Sequence, residues 1–333
     1  IPGGMLIDDL KNFVLDQFEK CTSVLVIVNT KETAKLLYEA VKTVWDKGET
    51  IYHLSTNMCP QNRRDELYAI KLGLKERKKI FGVSTQLIEA GVNFSFECVI
   101  RSLSGLDSII QAAGRCNRHG EQENLGKVYI VKLSPDIERT DKLQEIEKAQ
   151  EACERLLYEF QEQKEKFDYA LDSQLAIKRY YQLYYHELGS EITKYPVSKS
   201  EEWNTKNEVL KRALEGTNLV DLLGKNDIGR NQYRRDHVGK HQQPLLSQAF
   251  KTAGEYFKVI SDDETISVVV PYNKEAENLI HELENTYINL TEQKKILRKL
   301  QLYTVGISQS MKDRLNRAIY SPGDSGILVL NKE

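Results

Sequence analysis

The chain has 333 residues, of which 40% are hydrophobic and 29% charged, and its net charge is −2. This composition fits a soluble globular protein of two domains, or one domain with an extension, and excludes a wholly basic surface, so any nucleic-acid contact must use a local patch. The five cysteines are scattered without a CxxC pair, which argues against a zinc site and a disulfide framework and fits a reducing cytosol, while no apolar run is long enough to span a membrane.

In chain order, Leu6, Leu10, Phe13, Val14 and Phe18 recur at helical spacing, which predicts an amphipathic helix over 5–20. SVLVIV at 23–28 is a continuous apolar run rich in β-branched residues, the pattern of a strand covered on both faces. Asn29 and Thr30 follow, with Thr30 the expected N-cap of a helix over 31–46. Next come a strand at 50–54, a helix from Pro60 to about Lys75, strands at 79–84 and 97–101, a helix from 107 and a strand at 127–133. Strands alternating with helices predict an α/β fold with a parallel, doubly wound sheet. Ligands in such sheets sit at the carboxyl ends of the strands, and Asn29–Thr30, Ser84–Thr85 and the helix carrying Gln111 are expected there.

From Asp136 to about Leu188, apolar residues recur at near-heptad spacing among Glu, Lys and Gln, which predicts one long helix or two packed helices. Tyr180, Tyr181, Tyr184 and Tyr185 have the amphipathic rings of core or interface packing, and base stacking is the other use of such a cluster. Residues 189–247 are poor in apolar residues. Arg230, Arg234, Arg235 and Lys240 suit a basic loop that touches nucleic acid or a solvated charge run, and the ligand count around Asp236, His237 and His241 falls short of a metal site. Residues 248–333 predict a small α+β unit: a helix at 247–255, helices near 274–284, 291–300 and 310–318, and strands in QLYTVGIS and SGILVLN.

Two motifs are missing. The sequence holds neither GxxxxGK[ST] nor GxGxxG, so it has no phosphate-cradling loop and no dinucleotide fingerprint. VISDDET at 259–265 imitates an acidic magnesium motif, but YFKVIS and TISVVVPY flank its DDE symmetrically, as in a β-hairpin.

The chemistry concentrates in two stretches, GVSTQLIEAGVNF at 82–94 and QAAGRCNRHGE at 111–121. The second sets Arg115 and Arg118 three apart behind Gln111; in a helix they would share one face, and a guanidinium matches phosphate oxygens bidentately. A solvated basic helix end fits the same pair.

Together the stretches resemble motifs V and VI of superfamily 2 helicases, and STQLIEAGVNF followed by VIRSLSGLDSIIQAAGRCNRHGE resembles the CRISPR-associated helicase–nuclease of type I systems, the Cas3 family. The resemblance implies a second RecA-like helicase domain over 1–135, a linker helix or helix pair over 136–190 and a C-terminal accessory domain over 191–333. It further implies ATP with Mg2+ as the cofactor, bound against a first RecA-like domain that supplies the phosphate loop and magnesium motif, and a separate HD nuclease domain. In that setting Arg115 and Arg118 are arginine fingers pointing into a solvent-filled cleft, and Gln111 positions water or the γ-phosphate. Gly91, Asn93 and Gly114 complete the nucleotide side, while Asn29, Thr30, His53, Ser55, Ser84 and Thr85 hold the backbone of single-stranded DNA. Many related sequences carry aspartate at the position of Asn93. The implied partners are single-stranded DNA and the surveillance complex (Cascade) with target DNA, in the cytoplasm and without a membrane. The chain by itself is expected not to hydrolyse ATP. The alternatives are another superfamily 2 motor and a non-catalytic nucleic-acid-binding module.

Overall fold

A computed structural model describes residues 3–45, 50–88, 93–118, 120, 125–141, 143–189, 223–224, 235, 238, 250–256, 265–284, 289–322 and 326–331. The chain divides into two compact units, one formed by residues 1–184 with 264–333 and the other by residues 185–263. No described helix is long and apolar enough to cross a membrane.

The first unit opens with α1 (Ile7–Lys20), β1 (Ser23–Ile27), α2 (Lys31–Lys42), β2 (Thr50–Leu54), α3 (Pro60–Lys75) and β3 (Ile80–Ser84). It continues with β4 (Cys98–Ser102), α4 (Leu106–Ala113) and β5 (Lys127–Val131). The strands form a five-stranded sheet in the order β2-β3-β1-β4-β5, and every neighbouring pair is parallel. β1, β3 and β4 are buried along their whole length, which is why their sequences are mostly apolar rather than alternating, with Ser23, Ser84, Arg101 and Ser102 the buried polar exceptions. Val24, Val26 and Val28 join Leu10, Val14 and Leu37 of α1 and α2 on one face. Leu25 and Ile27 turn to the other face, against Ile70 of α3, Phe96 and Ala112 of α4. Local signals behave as the sequence predicts: Thr30 Oγ1 accepts from the Thr33 backbone N–H at 3.1 Å, and Pro60 opens α3.

Beyond β5 the amphipathic stretch is two helices, α5 (Gln144–Glu162) and α6 (Gln174–Leu188). Leu156 of α5 and Tyr180 and Leu183 of α6 pack with Leu106 and Ile109 of α4. Tyr180 is buried and stacks on Tyr184, with centroids 5.8 Å apart, so this part of the tyrosine cluster is core. Gly105, the residue before α4, lies so close to this layer that a Cβ there would come within 2.5 Å of Tyr180 Oη.

The second described helix group begins with α7 (Phe250–Tyr256), in the other unit. The first unit then resumes with β6 (Ile266–Val269), α8 (Lys274–Glu284), α9 (Leu290–Leu300), β7 (Thr304–Ile307), α10 (Gln309–Arg314), β8 (Ile319–Tyr320) and β9 (Leu328–Leu330). Their sheet runs β7-β6-β9-β8, antiparallel at β6/β7 and β8/β9 and parallel at β6/β9. Cys59, just ahead of α3, belongs to the apolar core of this sheet and its helices. Of the first half of the expected hairpin only Tyr256 is described, and it ends α7 rather than opening a strand; the rest, with the DDE turn, lies outside the described residues. Val268 and Val269 of its second half have β7 and β9 on either side.

Candidate nucleotide and nucleic-acid edge

The parallel register sets Ile27, Leu54 and Ser84 side by side at the carboxyl ends of β1, β2 and β3. The residues that follow, Asn29–Thr30, Ser55 and Thr85, therefore lie along one edge of the sheet. Their side chains differ in what they can offer. Thr30 and Thr85 are half-buried. Ser55 is 1% exposed and its Oγ accepts from the Asn57 N–H at 3.2 Å. Ser84 has no exposed surface and its Oγ donates to the Leu54 carbonyl at 3.3 Å. An oxygen ligand at this edge thus meets Thr85, backbone and the Thr30 hydroxyl, which lies 2.7 Å from Thr33 Oγ1 and would have to turn from it, while Ser84 ties β2 to β3.

His53 and Asn29 depart further from expectation. His53 precedes the strand end, so alternation turns its ring onto the α2 side, 5.4 Å from the ring of Tyr38. Its Nε2 is buried without a hydrogen-bond partner, and burial lowers the imidazole pKa below the ordinary 6.5. Asn29 is buried, and its amide is spent inside the protein: Nδ2 donates to Leu103 O and Glu138 Oε2, each at 2.8 Å, and Oδ1 accepts from Arg101 Nη1 at 2.9 Å. A side-chain contact from Asn29 to phosphate would have to break one of these bonds. Sequence reasoning missed Lys31 in the same neighbourhood, an exposed cation whose Nζ donates to Asn57 Oδ1 at 3.1 Å; a lysine directly after an N-cap at a strand end was the available signal.

The arginine motif corrects two expectations. Helix α4 stops at Ala113, so Arg115 and Arg118 do not share a helical face. The chain instead forms a bridge with Phe96: the Phe96 N–H donates to Arg115 O and the Asn117 N–H donates to Phe96 O, both at 2.9 Å. Asn117 adopts φ 43°, a left-handed conformation that asparagine tolerates better than most residues. Arg115 is also not solvated. It is 7% exposed, and its Nε donates to the Ile88 carbonyl at 3.1 Å, which joins this loop to the turn after β3. Arg118 and Gln111 are exposed. Gly114 is exposed with an ordinary φ of −65°, and a Cβ there would press on the Gln111 carbonyl at 3.3 Å. Asn93 is exposed at the end of the stretch after β3. Gly91 lies outside the described residues, as do Arg230, Arg234, Lys240, Asp236, His237 and His241.

Comparison with known proteins shows what the chain is similar to. Residues 20–121 match the family described as "CRISPR-associated nuclease/helicase Cas3, C-terminal". A protein of Haloferax volcanii named CRISPR-associated nuclease/helicase Cas3 is 53% identical over 58 residues, which are 17% of this chain and 6% of that protein. The crystal structure of T. fusca Cas3 with AMPPNP superposes over 99% of this chain and 38% of its own, with TM-score 0.56 and 10% identity. A chain of a CRISPR RNA-guided surveillance complex in a pre-nicking state superposes over 99% of this chain and 40% of its own, with TM-score 0.52 and 11% identity. This chain therefore spans well under half the length of the proteins it matches. The parallel sheet, the wording of its two motif loops and these matches together make the chain similar to the C-terminal part of Cas3 proteins, most specifically over residues 20–121.

Proposed function

We propose that this chain forms one wall of an ATP-dependent single-stranded-DNA motor, working in CRISPR interference with a first RecA-like domain, an HD nuclease domain and a surveillance complex bound to target DNA. The observation that carries the reading is the placement of residues 111–118. The stretch that resembles a helicase motif VI leaves a parallel RecA-like sheet with Gln111 and Arg118 exposed.

The fit to ATP is one-sided. An exposed guanidinium and a carboxamide on one short segment suit the oxygens of a departing γ-phosphate. The sequence has no phosphate loop, so the remaining phosphates and Mg2+ are held by the facing domain. Phosphoryl transfer needs charge stabilisation and positioning more than covalent chemistry. Arg118 supplies the charge, Arg115 stands braced behind it on the Ile88 carbonyl, and Gln111 orients water or phosphate. Asn93 and Gly91 belong to the stretch that links nucleotide and DNA. Thr30 and Thr85, with the backbone around Ser55, Ser84 and Asn29, bind DNA phosphates and carry no base code.

The test uses the chain itself. It should bind oligothymidine weakly and lose affinity steeply as salt rises, by roughly 0.7 log units per log unit of salt for each phosphate neutralised. It should show no DNA-dependent ATP hydrolysis. Affinity that stays flat from low to moderate salt, or measurable turnover by the pure chain, refutes the reading.

A further inference from the structure

Two buried charged residues take no part in the reading so far. Arg101, in β4, has no exposed surface, and Glu138, in the turn after β5, is 6% exposed. Asn29 lies between them. Its backbone N–H donates to Glu138 Oε1 at 2.6 Å and its Nδ2 donates to Glu138 Oε2 at 2.8 Å, while its Oδ1 accepts from Arg101 Nη1 at 2.9 Å. Ser102 Oγ donates to Glu138 Oε1 and accepts from Arg101 Nη1, both at 3.1 Å. One helical turn beyond Asn29, Thr33 Oγ1 donates to the Ile137 carbonyl at 2.9 Å. The turn from Asn29 to Thr33 is thus fastened at both ends by Ile137 and Glu138, with Thr30 between.

Stability alone does not call for this arrangement. Burying a carboxylate and a guanidinium costs several kcal/mol of desolvation per ion by general estimate, and apolar residues of the same volume often serve as well. What such a network does supply is one defined geometry. Glu138 occupies from inside the donors that Asn29 would otherwise turn to a ligand, and the loop's direction at the sheet edge follows from that.

We propose that Glu138, with Arg101 and Ser102, is a positioning residue for DNA binding: it holds the Asn29–Thr30 loop so that the Thr30 hydroxyl can turn from Thr33 Oγ1, 2.7 Å away, to a phosphate of the single strand. The inference rests on the nucleic-acid reading of this edge. Asn29 then acts as a strut rather than a contact. Gln150 of α5 donates to the Leu103 carbonyl that also accepts from Asn29 Nδ2, each at 2.8 Å, so α5 and this edge share one hydrogen-bond network.

The experiment measures fluorescence anisotropy of labelled oligothymidine with the 333-residue chain across a salt series, beside a thermal melt. The variants are Glu138→Gln, Ser102→Ala, Thr30→Ala and the double variant Glu138→Gln/Thr30→Ala. Glutamine puts an N–H2 among groups that are all donors toward the carboxylate. The expected result is about tenfold weaker binding for Glu138→Gln with an unchanged salt slope, since a threonine contact neutralises no phosphate charge. Thr30→Ala should match it, and the double variant should be no weaker than either single change. A folded Glu138→Gln chain with wild-type affinity, or additive losses in the double variant, overturns the proposal. Should Glu138→Gln fail to fold, Ser102→Ala decides: it removes one donor, and wild-type affinity there overturns the proposal, while a loss that is not additive with Thr30→Ala supports it. Wild-type chain that does not bind oligothymidine at low salt refutes the nucleic-acid reading and this inference with it. Wild-type binding weakened by Thr30→Ala and untouched by Glu138→Gln refutes the inference alone.

Discussion

Arg115 and Arg118 come from one motif and should fail in different ways when cut to alanine. Arg115 is 7% exposed and its Nε donates to the Ile88 carbonyl at 3.1 Å. A hydrogen bond from a charged donor contributes about 1.5–3 kcal/mol, and the carbonyl left behind is partly recovered by water, so Arg115→Ala should cost about 2 kcal/mol. For a unit of this size each kcal/mol moves the melting midpoint by about 2–4 °C, which predicts a fall of about 4–8 °C. Arg118 is exposed, and its replacement should change stability by no more than about 0.5 kcal/mol. Arg139, also exposed and away from the motif loops, serves as the control for both measurements. The assay is a thermal melt of each variant beside single-turnover ATP cleavage in a protein carrying both walls of the cleft. Arg118→Ala should melt like wild type and cleave more slowly by on the order of 10³-fold. Arg115→Ala should lose stability and rate together. Lysine at 115 should recover little of either, since it keeps the charge without the Nε–H geometry. If Arg115→Ala melts with wild type, its bond to Ile88 is energetically empty. If Arg118→Ala slows cleavage no more than Arg139→Ala, Arg118 is not the phosphate contact.

Two further perturbations test the surroundings. Burial lowers the pKa of His53, so the unfolded chain binds its proton more readily than the folded one; stability is fully present above the ordinary 6.5 and is lost as pH falls through the folded value. His53→Phe should flatten that part of the melting-versus-pH curve, and an unchanged slope would show that the ring is not buried as described. Gly105→Ala would set a Cβ within 2.5 Å of Tyr180 Oη and 3.3 Å of Ala149 Cβ. It should destabilise by about 1–3 kcal/mol through overpacking, and a neutral melt would mean that α4 is not seated against α6 as described.

The order of strands and helices in the first domain was legible in the sequence because those signals are local. A fully buried strand such as SVLVIV is apolar without interruption, Thr30 caps the helix it immediately precedes, and Pro60 opens its own helix. The long amphipathic stretch was legible as one helix or two, and packing resolved it into α5 and α6. The motif loops were legible too, because their wording survives in a short window. Contacts between distant residues were not. The helix before Arg115 ends where Phe96 pairs with Cys116, and nothing at 111–118 alone announces that bridge. The burial of Arg115 depends on the Ile88 carbonyl across the sheet edge. The network of Arg101 with Asn29 and Glu138 closes only when β1, β4 and the turn after β5 come together. Spacing along the chain reports what a residue's neighbours in sequence require; which buried polar group satisfies which is decided by the packing of the whole sheet, and that only the tertiary structure contains.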